Sequence, residues 1–319
     1  MHDVWLITRS LTGEIASNLN LEQIIKDTNS EIHISPNHRK EVYYEAYVIK
    51  KELDELKITS RYVSYEEFAN LNLSSMKLPK IAIDCYHTFD LNLHIKNLIS
   101  LKNHGILVIN DPLTHKICGD KWAQYELLMA NQISIPKTIH IQLPITDENI
   151  EMVKKEIGFP LVVKPTNGVR GRGVSKCHNE DDLWFECLSM RKLIIPPKTA
   201  IAQKWIDHEN KGTIRVYMIG GIIVASMQRK SNIKIDFFKS NIKQNSIRMP
   251  YEIDINLYNI CERVYHAFNK IDLCSIDILH DGDNYMIIDI NSPGSSFGMD
   301  MALNMNIGHL IAKYIASKI

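Results

Sequence analysis

A chain of 319 residues, 45% of them hydrophobic, can bury more than one core, and its 37 basic residues are balanced by 37 acidic ones. That balance leaves no global field to gather nucleic acid or an anionic membrane, so any anion site has to be local. Six cysteines at least ten residues apart, with no CxxC pair, argue against structural zinc and a disulfide framework; they fit a reducing, cytoplasmic setting, and no apolar run reaches membrane-spanning length.

In chain order, Val4 to Thr8 predicts a first strand, and the polar stretch from Asn18 to Arg39 is unassigned. A helix is expected around Tyr43 to Leu56, followed by strands in TSRYVSY and KIAIDCY. A helical segment then carries Leu91, Ile95, Leu98 and Leu101 on one side, is capped by Gly105, and leads into the strand ILVIN. Residues 1–110 thus read as an open α/β unit. Asn110-Asp111-Pro112 breaks the pattern and opens a second unit, residues 111–198, whose first helix carries Trp122, Tyr125, Leu128 and Met129 and stops before Pro136. Its strands are expected in ISIPKTIHI, PLVVKP and GVSKC, and its other helices over Glu148 to Glu156 and Asp181 to Met190. After Pro196-Pro197 a third unit, residues 199–319, offers strands in TAIAQKWI, TIRVYMIGG and IIVASMQRK, a helix from Leu257 to Asn269, the strand pair CSIDIL and YMIIDIN, and a closing amphipathic helix. The expected fold class is α/β, with two α+β units around a cleft behind the first unit.

One stretch stands out. Residues 161 to 173, LVVKPTNGVRGRG, place a lysine at the end of an apolar strand and three glycines within the next nine residues. A P-loop needs a Gly-Lys dipeptide, which the chain lacks, and a Rossmann fingerprint fails because Lys176 stands where the third glycine belongs. With the lysine ahead of the glycines, the loop is expected to run between two strands and to fold over phosphates as a lid; the bland alternative is a hairpin with a polar tip.

The motif KPTNGVRGRGV, with Lys164 and then Gly168, Gly171 and Gly173, resembles the glycine-rich loop of ATP-grasp enzymes, and within them that of the RimK-like carboxylate-amine ligases. Three further stretches resemble that family in the same order, so that the likeness spans roughly residues 110 to 315. The segment from NDPLTHKICGDKW implies an ATP-contacting lysine at Lys121. QKWIDHENKGTIRVYMIGG implies an adenine hinge at Gln203, Lys204, Trp205 and Ile206 and a phosphate-contacting arginine at Arg215. DFFKSN implies triphosphate contacts from Lys239, Ser240 and Asn241. Arg229 matches a basic position able to hold a substrate carboxylate; Arg215, Lys239 and Arg229 are accordingly the expected catalytic residues. The chain departs from many relatives at Lys204, where they carry glutamate, and at Thr213, where they carry aspartate; Asp207 or Glu209 could take over the ribose contact. Arg170 and Arg172 either reach the phosphates or acyl substrate or are simply solvated.

SIDILHDGDNYMIIDINSPG resembles the family's metal hairpin, which implies magnesium ligands at Asp277, Asp289 and Asn291, one or two ions, with manganese as a substitute. Asp289 and Asn291 are two apart and share a strand face, so Asp277 has to join them from the neighbouring strand. A two-residue Asp281-Gly282 loop would pair Asp277 with Met286 and leave Asp289 on the opposite face. An odd loop centred on Gly282, pairing Asp277 with Ile287, or an equivalent bulge, is therefore expected.

The resemblance implies an ATP- and magnesium-dependent ligase that joins a carboxylate to an amine through an acylphosphate, releasing ADP and phosphate. Its substrates would be amino acids or peptides, with glutamate as one partner, and a homo-oligomer would be in keeping with relatives; no nucleic-acid or membrane partner is expected. Three other readings stand beside it. One is a non-catalytic ATP-binding scaffold, and another is phosphoryl transfer that stops at a kinase-like product. The third is a serine hydrolase built on GSSFG at 294 to 298, for which only Asp300 and His309 would remain as partners.

Overall fold

A computed structural model describes residues 3–8, 39–73, 76–85, 91–168, 171–193, 195–208, 212–231, 246–281 and 284–319. Three sheets organise them. The first is wholly parallel, in the order β2-β1-β3-β4, from β1 (Val4–Thr8), β2 (Ser60–Ser64), β3 (Ile81–Asp84) and β4 (Leu107–Ile109). Every residue of β1 is buried, as expected of a parallel strand covered on both faces. The connections are α1 (Arg39–Glu55), α2 (Tyr65–Ala69) and α3 (Leu91–Asn103). The short α2 was not foreseen from the sequence; Ser64 starts it by accepting a hydrogen bond from the Glu67 backbone N–H.

The expected break at Asn110-Asp111-Pro112 is a helix start. Asp111 accepts from the N–H groups of Leu113 and Thr114, and Pro112 sits at the first helical position of α4 (Pro112–Cys118), where its missing N–H costs nothing. α5 (Lys121–Ala130) follows with Asp120 as its cap.

The second sheet is antiparallel, in the order β5-β8-β6-β7, from β5 (Thr138–Gln142), β6 (Leu161–Pro165), β7 (Ser175–Cys177) and β8 (Thr199–Lys204). Strand β8 corrects the division at residue 198. Expected in the third unit, it lies between β5 and β6, so the chain leaves the second sheet only after Lys204. The run of strands beyond Pro196-Pro197 hid this, since Thr199 to Lys204 and Thr213 to Ile219 look alike in sequence but pair in different sheets. On one face, Leu161 and Val163 pack with Ile150 and Val153 of α6 (Asp147–Glu156) and Leu183 and Cys187 of α7 (Glu180–Ser189).

The third sheet, β11-β10-β9-β12-β13, is also antiparallel and contains β9 (Thr213–Ile219), β10 (Ile222–Ser231), β11 (Ser246–Pro250), β12 (Leu273–Asp281) and β13 (Asn284–Asn291). Its inner face, with Ile214, Val216, Ile276, Ile278, Ile287 and Ile290, packs on α5 and on α8 (Ile255–Ala267). The chain closes with α9 (Phe297–Leu303) and α10 (Ile307–Ala316), two helices where the sequence suggested one. α10 inserts Ile311, Ala312 and Ile315 into one core with Leu6, Ile49, Leu53, Tyr217 and Ile219, so the chain's end joins the first sheet's layer to the third sheet. Among the described residues, no helix is long and apolar enough to cross a membrane.

Candidate active site

The site begins with strand parity. In β9, Ile214, Val216 and Met218 enter the core shared with α8, which turns Arg215 to the opposite face. Arg215 stands opposite Asp277 of β12 on one side and Met227 of β10 on the other, so Arg229, two residues beyond Met227, shares its face. Asp277 in turn stands directly opposite Asp289, and Asn291 lies two residues farther along β13. Register alone thus aligns Arg229, Arg215, Asp277, Asp289 and Asn291 in one band across four strands.

The hairpin reaches this arrangement by a route that differs from the expected turn. Asp281 pairs with Asn284, leaving an even, two-residue connection, and Ile278 pairs with Ile287; the register then slips so that Asp277 pairs with Asp289 and Ile288 is the extra residue. The expected Asp277–Ile287 pairing does not occur; the alternative expectation, a bulge, does. The bulge lets both Ile287 and Ile290 point into the core while Asp289 points out. Without it, the two-residue period would bury Asp289 beside Ile287.

β13 is a sheet edge, and α5 covers it. The Tyr125 hydroxyl donates to the carbonyl of Ile288 at 2.6 Å, the Ile290 N–H donates to Gln124 Oε1 at 2.9 Å, and the Ile287 N–H donates to the Ser134 carbonyl at 2.9 Å. The same helix begins with Lys121, whose Nζ lies 3.1 Å from Asp289 Oδ1. Neither residue is an expected site residue: Tyr125 reads in the sequence as part of the helix's apolar face and Gln124 carries no signal beyond its place one turn after Lys121.

Arg215 grips Asp277 with two bonds, Nε to Oδ1 at 2.7 Å and a terminal nitrogen to Oδ2 at 2.6 Å, while Arg229 adds a third to Oδ1 at 2.7 Å. Burial opposes the ionised form of Asp277, but the charges of Arg215 and Arg229 overcome it and hold the carboxyl down at about 2. Burial, reinforced by the neighbouring Arg215 charge, brings Arg229 down to about 10. Asn291 Nδ2 lies 3.3 Å from Asp289 Oδ2.

From the second sheet comes Lys164. Because Leu161 and Val163 fill the core, Lys164 faces away from it, only 8% exposed, with Nζ 2.7 Å from Gln203 Oε1. Gln203 is fixed in turn by donating to Thr138 Oγ1 at 2.9 Å. Burial lowers the Lys164 ammonium to about 8, with the Asp289 charge working the other way and Lys121 adding to the depression. Beyond Lys164 the loop connects two antiparallel strands, as expected. Gly171 and Gly173 adopt φ of 68° and 70°, and a side chain on Gly173 would meet Pro165 and Leu193 at 3.2 to 3.3 Å. Gly168 packs against Pro165, and the Lys121 N–H donates to the Thr166 carbonyl at 2.7 Å, which ties the loop's root to the start of α5.

Among the described residues, four cations, Lys121, Lys164, Arg215 and Arg229, therefore surround two carboxylates, Asp277 and Asp289. The surplus is positive, and the first sheet contributes none of it. In the hinge, Gln203 and Ile206 are buried and Lys204 is exposed; Lys176 Nζ lies 4.0 Å from the centre of the Trp205 ring, a cation–π contact absent from the sequence reading. Arg172 is exposed, whereas Arg170, Glu209, Lys239, Ser240 and Asn241 lie outside the described residues. The hydrolase reading has no geometry: Ser296, the serine of the G-x-S-x-G pattern, is buried, His309 pairs with Glu52 at 2.6 Å, and Asp300 accepts from the Tyr44 hydroxyl and the Ile307 N–H.

A family model described as the RimK-like ATP-grasp domain matches residues 118–315. The chain belongs to the RimK-like ATP-grasp family. As a member it is an ATP-dependent carboxylate-amine ligase. A probable alpha-L-glutamate ligase of Vibrio vulnificus is 24% identical over 218 residues, covering 66% of this chain and 67% of the relative. The glutamate–LysW ligase ArgX of Sulfolobus acidocaldarius is 27% identical over 223 residues, covering 67% and 74%. The fold extends over nearly the whole molecule: a D-alanine–D-alanine ligase from Bacillus anthracis, solved with ATP, superposes with a TM-score of 0.66 at 16% identity, covering 98% of each chain.

Proposed function

We propose that this ligase transfers the γ-phosphoryl group of ATP to a substrate carboxylate, and that an amine then displaces phosphate to form an amide, with ADP and phosphate as products. The observation that carries this reading is the cationic surplus: among the described residues, four buried or half-buried cations, drawn from α5, β6, β9 and β10, stand against two carboxylates. A polyphosphate is the ligand that such a surplus fits.

Asp277, Asp289 and Asn291 fit a magnesium site, because they supply hard oxygen atoms on one sheet face at directly paired and next-but-one positions. When bound, the ion neutralises charge on the phosphates and keeps the two acids ionised side by side. Both Asp277 oxygens are engaged by arginine. Arg215 and Arg229 are therefore the groups that turn to the phosphates or the acyl substrate when ligands arrive, each exchanging one oxyanion partner for another. Lys164, held by Gln203, and Lys121, at the start of α5, contribute fixed positive charge to the transferring group. Gln203 to Ile206 would receive adenine, and Gly168 to Gly173 would close over the phosphates and exclude water.

The names of the relatives suggest an amino acid or peptide substrate with glutamate as one partner. The test uses a panel of amino acids and peptides, with ADP release measured in the presence and absence of each amine. A carboxylate labelled with oxygen-18 should deliver one labelled atom to the phosphate product, and the organic product should gain the amine with loss of water. ADP release without amide, or phosphate free of label, would contradict the route.

A further inference from the structure

We propose that Asp84, His94 and His115 form a site for one divalent transition-metal ion of the zinc type, built from elements other than those of the ATP site. Asp84 ends β3, His94 lies in the first turn of α3 and His115 in α4. Asp84 Oδ2 is 2.7 Å from His94 Nε2 and 3.3 Å from His115 Nε2, and one ligating atom from each of the three residues lies within 4.8 Å of the others. All three are almost wholly buried, at 1%, 0% and 3% exposure.

Four arguments point to a metal. Ligand atoms about 2.0 Å from a tetrahedral zinc ion lie about 3.3 Å from one another; of the two observed separations one matches that spacing and the other is 2.7 Å, so the donors are already gathered at close to the distance a metal ion requires. Two imidazoles and one carboxylate form a donor set suited to zinc and its first-row neighbours, unlike the all-oxygen corner at Asp289. The position is also one at which open parallel sheets hold ligands: with the order β2-β1-β3-β4, the chain's direction of progress reverses between β1 and β3, and Asp84 marks the carboxyl end there. Finally, Phe68 and Tyr65 flank the His94 ring at centroid distances of 5.3 and 5.7 Å, which makes an aromatic wall around the donors and fixes the ring. A carboxylate this deeply buried is costly unless it is paired or protonated, and a metal ion is one such partner. An imidazolium is another, and the experiment separates that case from a metal ion. The 84, 94, 115 spacing matches no short metal motif, which is why the histidines carried no signal in the sequence.

The full-length protein is stripped with a chelator and titrated with Co(II) in buffer free of magnesium and nucleotide, alongside Asp289→Ala, His94→Gln and His115→Gln variants. One equivalent of Co(II), with visible ligand-field bands and displaced by Zn(II), is expected in the wild type and in Asp289→Ala. Each histidine variant should weaken binding by at least roughly 100-fold. The absence of bands in the wild type, their persistence in both histidine variants, or their loss in Asp289→Ala would overturn the site. Should the histidine variants misfold, histidine-selective nitrogen-15 spectra of the wild type decide: Zn(II) is expected to shift Nε2 of two imidazoles, and spectra that respond to pH but not to Zn(II) leave a protonated pair in place of a metal centre.

Discussion

Lys164 sets a pH window. Its ammonium, lowered to about 8 by burial, regains a favourable environment when a triphosphate lies against it, so ATP binding should draw a proton onto it. Affinity should be constant below about pH 8 and fall above it. Calorimetry in two buffers of different ionisation enthalpy should register proton uptake near pH 8 that vanishes in Lys164→Met; uptake unchanged in that variant would assign the proton elsewhere. Asp277 carries the opposite linkage. Its pKa is depressed to about 2, so its contribution to stability is complete above about pH 4 and is lost as pH falls toward 2. Asp277→Asn leaves Arg215 and Arg229 buried without their shared counter-charge, and thermal unfolding should report a loss of about 3–5 kcal/mol. Lys164, Arg215 and both acids were legible in the sequence because each sits beside a motif. Glutamine 203 was named for the hinge, yet its bond to Lys164 could not be read, because β6 and β8 meet only through pairing 39 residues apart.

Among the elements, β13 shows how a short sequence encodes a site. Ile287 and Ile290 are both core residues, and their spacing of three breaks the two-residue period that a plain strand demands. That break is the trace of the bulge; the need for some irregularity was legible from Asp277 and Asp289, which have to share a face, while its location was not. Hairpin register depends on the turn and on what the outer edge meets, and here the edge meets Tyr125 and Gln124 of α5. Tyr125→Phe removes the bond to the bulged carbonyl and should cost about 1 kcal/mol of stability. If the bulge positions Asp289, turnover should fall further than stability, by roughly 10-fold, with the magnesium requirement shifted to higher concentration. A loss of stability with unchanged magnesium dependence would make Tyr125 structural only. Strand β8 carries the other lesson of this scale: its sequence is strand-like in any setting, and only its partners β5 and β6 assign it to a sheet.

At the scale of the molecule, α10 binds the end of the chain to its beginning. Ile311 and Ile315 are fully buried with Ile49, Leu53 and Leu6, so the layer that carries the first sheet is anchored through the last helix. Ile311→Ala should destabilise by about 2–5 kcal/mol, with thermal unfolding of the first and third sheets affected together. Two separate transitions, only one of them shifted, would contradict a shared core. Alternating patterns marked most strands of the three sheets, although not β11 nor the sheet to which β8 belongs, and this junction was not marked, because an amphipathic terminal helix does not name its partner.

The central claim is that cations from α5, β6, β9 and β10 and oxygens from the β12–β13 hairpin hold one triphosphate together. Calorimetric binding of a non-hydrolysable ATP analogue, with and without magnesium, to wild type, Lys164→Met and Asp289→Ala tests it directly. Magnesium should tighten binding at least roughly 10-fold in the wild type and not in Asp289→Ala, and Lys164→Met should weaken binding by a similar factor. Equal affinity in all three proteins, with no effect of magnesium, would contradict the account.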